Sequence, residues 1–249
     1  MSISTVPINT EPAYRIIARS VEKQILSGEL KIGEVMPSEL ALAERLGVNR
    51  STVREAIRLL EENGIVRRRQ GGKKLFVSIP EDAKTAQRLT TSLILQEVTF
   101  DELWDVMYAL EPIAARRAAS RIDAETLEAL GDNIARTAAN VKDQDYLVEV
   151  DLEFHRLIAL ASGNRALQLC RQPIGRLFYP AFDAVIRRLN AGERLLAAHT
   201  KIFEALKTND ERTAEEWMRK HIVDFHRGFA LANLDIESAV DPGRTPRTL

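Results

Sequence analysis

Three of the four histidines in this chain, together with one aspartate, lie where they could bind a metal ion. Asp151 and His155 are four positions apart, so on a helix they share one face and can chelate a single ion. His199 and His221 each lie in an amphipathic helical pattern, beside apolar residues that direct the imidazole inward. Three imidazoles and one carboxylate suit Zn²⁺, and they suit Ni²⁺, Mn²⁺ or Fe²⁺ equally.

The residues alone leave two interpretations of these histidines open. An inward-facing histidine is more often an ordinary core residue than a ligand, and nothing in the spacing decides between the two. His226 has no partner at a useful spacing, and we expect it on the surface.

A second set of residues has the chemistry of a DNA contact. Arginine can donate two hydrogen bonds to guanine, hydroxyls suit phosphates or base edges, and cations on a loop suit the DNA backbone. The candidates at the start of a predicted helix and in the turn that follows it are Arg50, Ser51, Thr52, Arg54, Arg69, Gly71, Lys73 and Lys74.

The elements that would position these residues form a winged helix-turn-helix over residues 11–79. Apolar residues recur at helical spacing from Tyr14 to Leu26, and Ser38 is a natural N-cap for a second helix that ends at Gly47. The third helix follows after a short turn and ends at Gly64. Two short strands separated by a glycine turn then complete the domain. In this arrangement the start of the third helix enters the major groove.

The charge distribution supports this division of the chain. Residues 11–79 hold thirteen Lys/Arg and nine Asp/Glu, a net charge of +4, although the whole chain has a net charge of −1. The single cysteine excludes an intrachain disulfide and a cysteine-based zinc cluster. No stretch resembles a secretion signal or a membrane span, so we expect a cytoplasmic protein without membrane contact.

The remainder of the chain is predicted to be all helical, which makes the fold mainly α. A linker at 80–88 leads into a helical bundle at 89–234, and residues 1–10 and 235–249 are predicted to be flexible tails. The expected helices span 86–97, 100–119, 123–140, 144–161, 164–171, 174–189, 192–208 and 210–232.

The segment "GEVMPSELALAERLGVNRSTVREAIRLLEENGIVRRRQGGKKLFV" resembles the DNA-binding domain of GntR-type bacterial transcription regulators. The match is dense over about sixty residues. It departs from the family pattern at Leu40, where an arginine that commonly touches DNA is usual. The resemblance therefore implies DNA binding with one contact missing.

Residues 89–234 resemble the helical FCD ligand-binding domain of the FadR-type branch of that superfamily. The resemblance rests on Leu110-Glu111-Pro112 and on "DLEFHRLIALASGN", "HTKIFEALKTND" and "MRKHI". It implies a metal site made by Asp151, His155, His199 and His221, with zinc as the first expectation, at the floor of a cavity for a small organic acid.

The FCD resemblance also suggests which residues meet the effector. An arginine common in the family is replaced by Met107, so Arg116 or Arg171 would have to meet an effector carboxylate, or the effector is less acidic. Asn164 matches a frequent family residue near the cavity.

The functional expectation is a metal-dependent, ligand-responsive regulator that binds a palindromic operator as a homodimer, with repression the commoner outcome in the family. A metalloenzyme acting on a small carboxylate is the alternative, because open metal positions could activate water. No general base, H-E-x-x-H, nucleophile elbow or P-loop accompanies the ligands, and we expect no catalytic residues. A third possibility is a metal with a purely structural role.

Overall fold

The computed structural model describes residues 11–69 and 72–240, and the chain divides into two compact units between Lys84 and Thr85. The predicted DNA contact Gly71 and the predicted N-terminal tail lie outside the described residues. None of the helices in the described ranges has an apolar stretch long enough to cross a membrane.

The first unit contains the predicted helix-turn-helix. Helices α1 (Ala13–Leu26), α2 (Glu39–Leu46) and α3 (Arg50–Glu62) are followed by strands β1 (Val66–Arg68) and β2 (Leu75–Val77). As predicted, the Ser38 hydroxyl accepts a hydrogen bond from the backbone N–H of Ala41 and caps α2. Gly47 ends α2 with a left-handed backbone (φ 63°).

The core of this unit lies between α1, α3 and the hairpin. The buried stripe of α3 is Val53, Ala56, Ile57 and Leu60, as the periodicity predicts. The strands pair antiparallel, with Val66 opposite Val77, and both of these side chains are buried in the same cluster. The hairpin is therefore fixed to the body of the unit by its apolar face.

The second unit is all helical in the described residues. Its helices are α4 (Asp82–Leu95), α5 (Phe100–Ala119), α6 (Ala124–Ala139), α7 (Gln144–Ala161), α8 (Arg165–Leu189), α9 (Gly192–Lys207) and α10 (Glu211–Leu231). α4 begins at Asp82, inside the segment predicted as a linker. α7 packs on α5, α6, α8 and α9, and its mostly buried residues make it the central helix.

The predicted break between 171 and 174 is wrong, because α8 is continuous over 25 residues with Pro173 and Pro180 inside it. A proline inside a helix removes one hydrogen bond and crowds the preceding turn. Here Pro173, Ile174 and Leu177 are buried, and this packing outweighs the local cost.

Residues 235–240, predicted to belong to the flexible tail, instead pack on the second unit. The carbonyls of Ile236 and Ser238 accept hydrogen bonds from the backbone N–H groups of Asp101 and Phe100, at 2.9 and 3.2 Å. Val240 is buried and donates to the carbonyl of Val98. The segment thus supplies partners to N–H groups at the start of α5 that have none within the helix.

Candidate metal centre

The four predicted ligands converge inside the second unit. Asp151 and His155 lie on α7, His199 on α9 and His221 on α10, and all four residues are buried. Their ligand atoms lie within 4.8 Å of one another. Nε2 of His221 is 3.2 Å from Nε2 of His155 and 3.3 Å from Nε2 of His199. Oδ1 of Asp151 is 3.2 Å from Nε2 of His199.

This donor set fits a divalent metal ion. Four ligands at zinc-ligand distances in a tetrahedron lie roughly 3.3 Å apart, close to the shorter separations seen here. Oδ1 of Asp151 is buried and has no hydrogen-bond partner among the described residues, and an unpartnered buried carboxylate oxygen is costly. A cation among the three imidazoles gives that oxygen its partner.

Glu111 on α5 holds one of the ligands in position. Its Oε2 accepts a hydrogen bond from Nδ1 of His155 at 2.9 Å, which leaves Nε2 of a neutral His155 free to face the other ligands. Its Oε1 accepts from Nε of Arg171 at 2.7 Å. Burial acts to raise the pKa of Glu111, but the charges and hydrogen bonds of His155 and Arg171 lower it to about 2.

Sequence reasoning missed Glu111, although a signal was available. The residue lies on the same stripe of α5 as Met107, Ala114, Ala115 and Ala118, and a lone acid on an apolar helix face needs a buried partner.

Burial also sets the charge states of the histidines. It lowers the pKa of His199 and of His221 well below the ordinary value, so both imidazoles are neutral near pH 7. Burial works in the same direction on His155, but the carboxylates of Glu111 and Asp151 outweigh it and raise that pKa. Neutral imidazoles are the form that binds metals.

Aromatic packing fixes the imidazole of His199. The ring of Phe154 stacks on His199 with 3.8 Å between centroids and a 10° interplanar angle, and both side chains are fully buried. Phe154 comes directly before His155 on α7. Residues 151–155 therefore provide two candidate ligands, Asp151 and His155, and the ring that supports His199. His226 is not one of the clustered ligands, but it is half-buried and has partners that its spacing did not predict: its ring lies 4.4 Å from that of Trp104 and its Nε2 lies 3.6 Å from Asp101.

A small cavity of about 30 Å³ lies against the centre. Asp151, His155 and His221 line it, together with Met107 and Arg171. Arg171, one of the predicted effector contacts, therefore does reach the cavity, where it is already paired with Glu111.

The other two predicted effector contacts lie elsewhere. Asn164 caps α8 by accepting a hydrogen bond from the backbone N–H of Leu167. Nη1 of Arg116 lies 3.7 Å from Glu215, and its side chain is 48% exposed. Neither residue lines any of the cavities described here.

The predicted DNA contacts lie on the surface of the first unit. Arg50, Ser51 and Arg54 are exposed at the start of α3, and Thr52 is half-buried. In the wing, Lys73 and Lys74 are exposed, and Arg69 lies over the ring of Phe76, 4.5 Å from its centroid. Arg68 is committed to structure, because it pairs with Glu39 of α2 and Glu61 of α3 at 3.2 and 3.1 Å.

Two domain families match the chain. Residues 13–73 match the family described as bacterial regulatory proteins, gntR family, and residues 102–224 match the FCD domain. The first match covers α1 to α3 and the beginning of the wing, and the second contains all four candidate ligands.

Individual relatives match both domains together. The chain is 27% identical to the Glc operon transcriptional activator of Escherichia coli K12 over 220 residues, which cover 85% of this chain and 86% of that protein. It is 29% identical to the HTH-type transcriptional repressor RspR of the same strain, over 89% and 91% of the two chains. The solved structure of Streptococcus agalactiae GntR is 28% identical and superposes with a TM-score of 0.56, covering 86% of this chain and 99% of that one.

Proposed function

Since this chain belongs to the gntR family of bacterial regulatory proteins and carries an FCD domain, we propose that it is a transcriptional regulator controlled by a metal ion and a small organic acid. DNA binding belongs to the first unit, and ligand sensing belongs to the second. The observation that carries the proposal is the buried convergence of one carboxylate and three imidazoles against a cavity.

The proposed metal ligands are Asp151, His155, His199 and His221, with zinc as the first candidate because the shorter separations between ligand atoms are close to those of a zinc tetrahedron. A metal held by four protein ligands can accept a further oxygen ligand, and a carboxylate is suited to that position. The protein orients the ligands through Glu111 and Phe154, and a small cavity adjoins the centre.

On the DNA side, we assign base and phosphate contacts to Arg50, Ser51, Thr52 and Arg54, with the wing residues Arg69, Gly71, Lys73 and Lys74 on the adjacent backbone. A homodimer places two such units on the half-sites of a palindrome. Repression is the proposed outcome, because a dimer bound across a promoter blocks polymerase without needing any further contact.

The first test measures metal content and DNA binding on the same protein. Asp151→Ala removes a buried ligand, and Asp145→Ala, on the same helix but with an 85% exposed side chain, is its matched control. We expect about one equivalent of metal in the parent and in Asp145→Ala, and at least a tenfold weaker metal affinity in Asp151→Ala. Equal metal affinity in all three proteins would overturn the assignment.

DNA binding is then followed by fluorescence anisotropy with duplexes selected from a random library. Each phosphate contact contributes a slope of about −0.9 to log K against log salt, so Arg54→Ala should flatten the slope by about one unit if that arginine meets a phosphate. A DNA affinity that does not depend on salt contradicts the proposed interface.

A further inference from the structure

A second, larger cavity shares a wall with the one beside the metal centre. It measures about 240 Å³ and lies between α8, α9 and α10. Phe182, His221 and Phe225 line both cavities, and the rings of Phe182 and Phe225 lie 4.9 Å apart. Of the four candidate ligands, His221 alone lines the larger cavity, which therefore ends on the metal centre.

The two cavities differ in capacity. The cavity beside the metal centre measures about 30 Å³, so a long carbon chain needs more room than it offers. The larger cavity has eight times that volume.

The larger cavity is apolar along its length and polar at its rim. Its apolar lining includes Val185, Ile186, Leu189, Leu195, Phe225 and Leu231. At the rim, Arg194 forms an ion pair with Asp224, and these side chains are 65% and 39% exposed. The cavity thus leads from an exposed ion pair to the buried face of His221.

The charges around the two cavities disfavour a ligand with a second carboxylate. The arginines that line them are Arg171, which is paired with Glu111, and Arg194, which is paired with Asp224. Among the described lining residues no unpaired arginine or lysine remains to meet a second negative charge, and burying an unpaired charge is costly.

We infer that the effector is a monocarboxylic acid with an apolar body, such as a medium-chain or aryl-substituted acid. Its carboxylate binds in the small cavity beside Asp151 and His155, and its apolar body occupies the larger cavity on the other side of Phe182 and Phe225, whose rings are in contact and must part to admit it. This assignment rests on the proposed role of the metal centre as the effector site, and it adds the chemical class of the ligand and the residues that select it.

The test is a titration series on the metal-replete full-length protein, followed by calorimetry. Acetate, butanoate, hexanoate and phenylacetate are compared with malonate, succinate and citrate. Each methylene that enters the larger cavity should raise affinity about fourfold, from roughly 0.8 kcal/mol per buried CH₂. Affinity that is flat with chain length, or tighter binding of the di- and tricarboxylates, overturns the inference.

Two substitutions test the location, one at the N-cap residue of α9 and one within α9. Ala191→Phe projects a ring into the larger cavity from a half-buried position. Ala198 lines an outer groove that shares Arg194, His221 and Asp224 with the larger cavity, but Ala198 does not itself line that cavity. We expect Ala191→Phe to abolish the gain from butanoate to hexanoate while acetate binding is kept, and Ala198→Phe to leave the series unchanged. Equal behaviour of the two variants contradicts the assignment of the cavity.

A third variant tests the charge argument. Met107→Arg adds a cation to the small cavity and should raise the affinity for malonate or succinate at least tenfold relative to hexanoate. An unchanged ratio refutes the idea that missing cations set the preference.

Metal content and Asp151→Ala separate this inference from the proposed function. Hexanoate that binds equally well to Asp151→Ala would sink the metal-linked sensing role while leaving the apolar cavity as a ligand site. If the parent protein binds metal but prefers citrate to hexanoate, the proposed metal centre stands and the inferred effector class is wrong.

Discussion

Replacing Glu111 by glutamine should weaken metal binding although Glu111 is not a ligand. Glu111 is 2% exposed, and its carboxylate accepts two hydrogen bonds. One comes from Nδ1 of the candidate ligand His155 at 2.9 Å, and the other comes from Nε of Arg171 at 2.7 Å. Glutamine keeps the shape but has one acceptor oxygen, so its NH₂ group must face one of two donors.

The size of the effect follows from what the carboxylate does. It orients His155 and increases the basicity of Nε2, and the loss of such a partner lowers metal affinity by about 10–100-fold, or roughly 1.4–2.7 kcal/mol. His199 should tolerate the change, because its ring is held by Phe154 and its Nδ1 has no partner among the described residues.

The assay is competition with a chromophoric chelator, using Zn²⁺ and Co²⁺ separately. Glu215→Gln serves as the control, because Glu215 lies on α10 and pairs with Arg116 and Arg219 at the surface without touching a ligand. We expect less than a threefold change for the control. Circular dichroism checks that both variants are folded, and equal metal affinity in a folded Glu111→Gln would falsify the role assigned to Glu111.

Three further predictions concern other parts of the chain. Leu40, where the resemblance to the GntR pattern leads us to expect an arginine, is 56% exposed on α2. Leu40→Arg should therefore strengthen DNA binding and steepen the salt slope by about 0.9 if it reaches a phosphate; an unchanged slope in an anisotropy titration argues against that contact. Leu206 is fully buried in the α9 core, so Leu206→Ala should cost about 2–5 kcal/mol in denaturant unfolding, and a loss below about 1 kcal/mol contradicts this packing. The pKa of Asp123, the N-cap of α6, is lowered by hydrogen bonds from the Thr126 side chain and backbone N–H. Its stabilising contribution is therefore present above the ordinary aspartate pKa and is lost as pH falls through the lowered value; Asp123→Asn should remove that part of the pH dependence of Tm, and parallel Tm curves for the two proteins would exclude it.

Local chemistry explains why the first unit could be predicted from the sequence. Ser38 and Gly47 mark the ends of α2 through their own hydrogen bonding and backbone freedom, and the stripe from Val53 to Leu60 follows helical spacing. These signals need no knowledge of distant residues. Tertiary packing overrode local rules at Pro173, where burial keeps α8 intact.

The metal centre could be predicted only in part from residue types and spacing. The pair Asp151 and His155 follows from an i, i+4 spacing, but the meeting of His199 with His221 depends on how α9 packs against α10. Glu111 was hidden because its partners, His155 and Arg171, lie 44 and 60 positions further along the chain. Residues 235–240 were missed for a similar reason, since their carbonyls satisfy N–H groups at Phe100 and Asp101.

The arrangement around His221 favours a sensing role over a purely structural metal. The centre has four candidate protein ligands, as structural sites do, but one of them, His221, also lines the small cavity beside the centre and the larger apolar one, where a ligand could reach it. A ligand in the larger cavity would contact α8, α10 and the imidazole of His221, the proposed metal ligand, so the two proposed binding events would share a residue. Such coupling is reciprocal. If an acid raises the affinity for the metal by a given factor, the metal raises the affinity for that acid by the same factor. A metal that only pinned helices together, with no ligand beside it, would leave that coupling at unity.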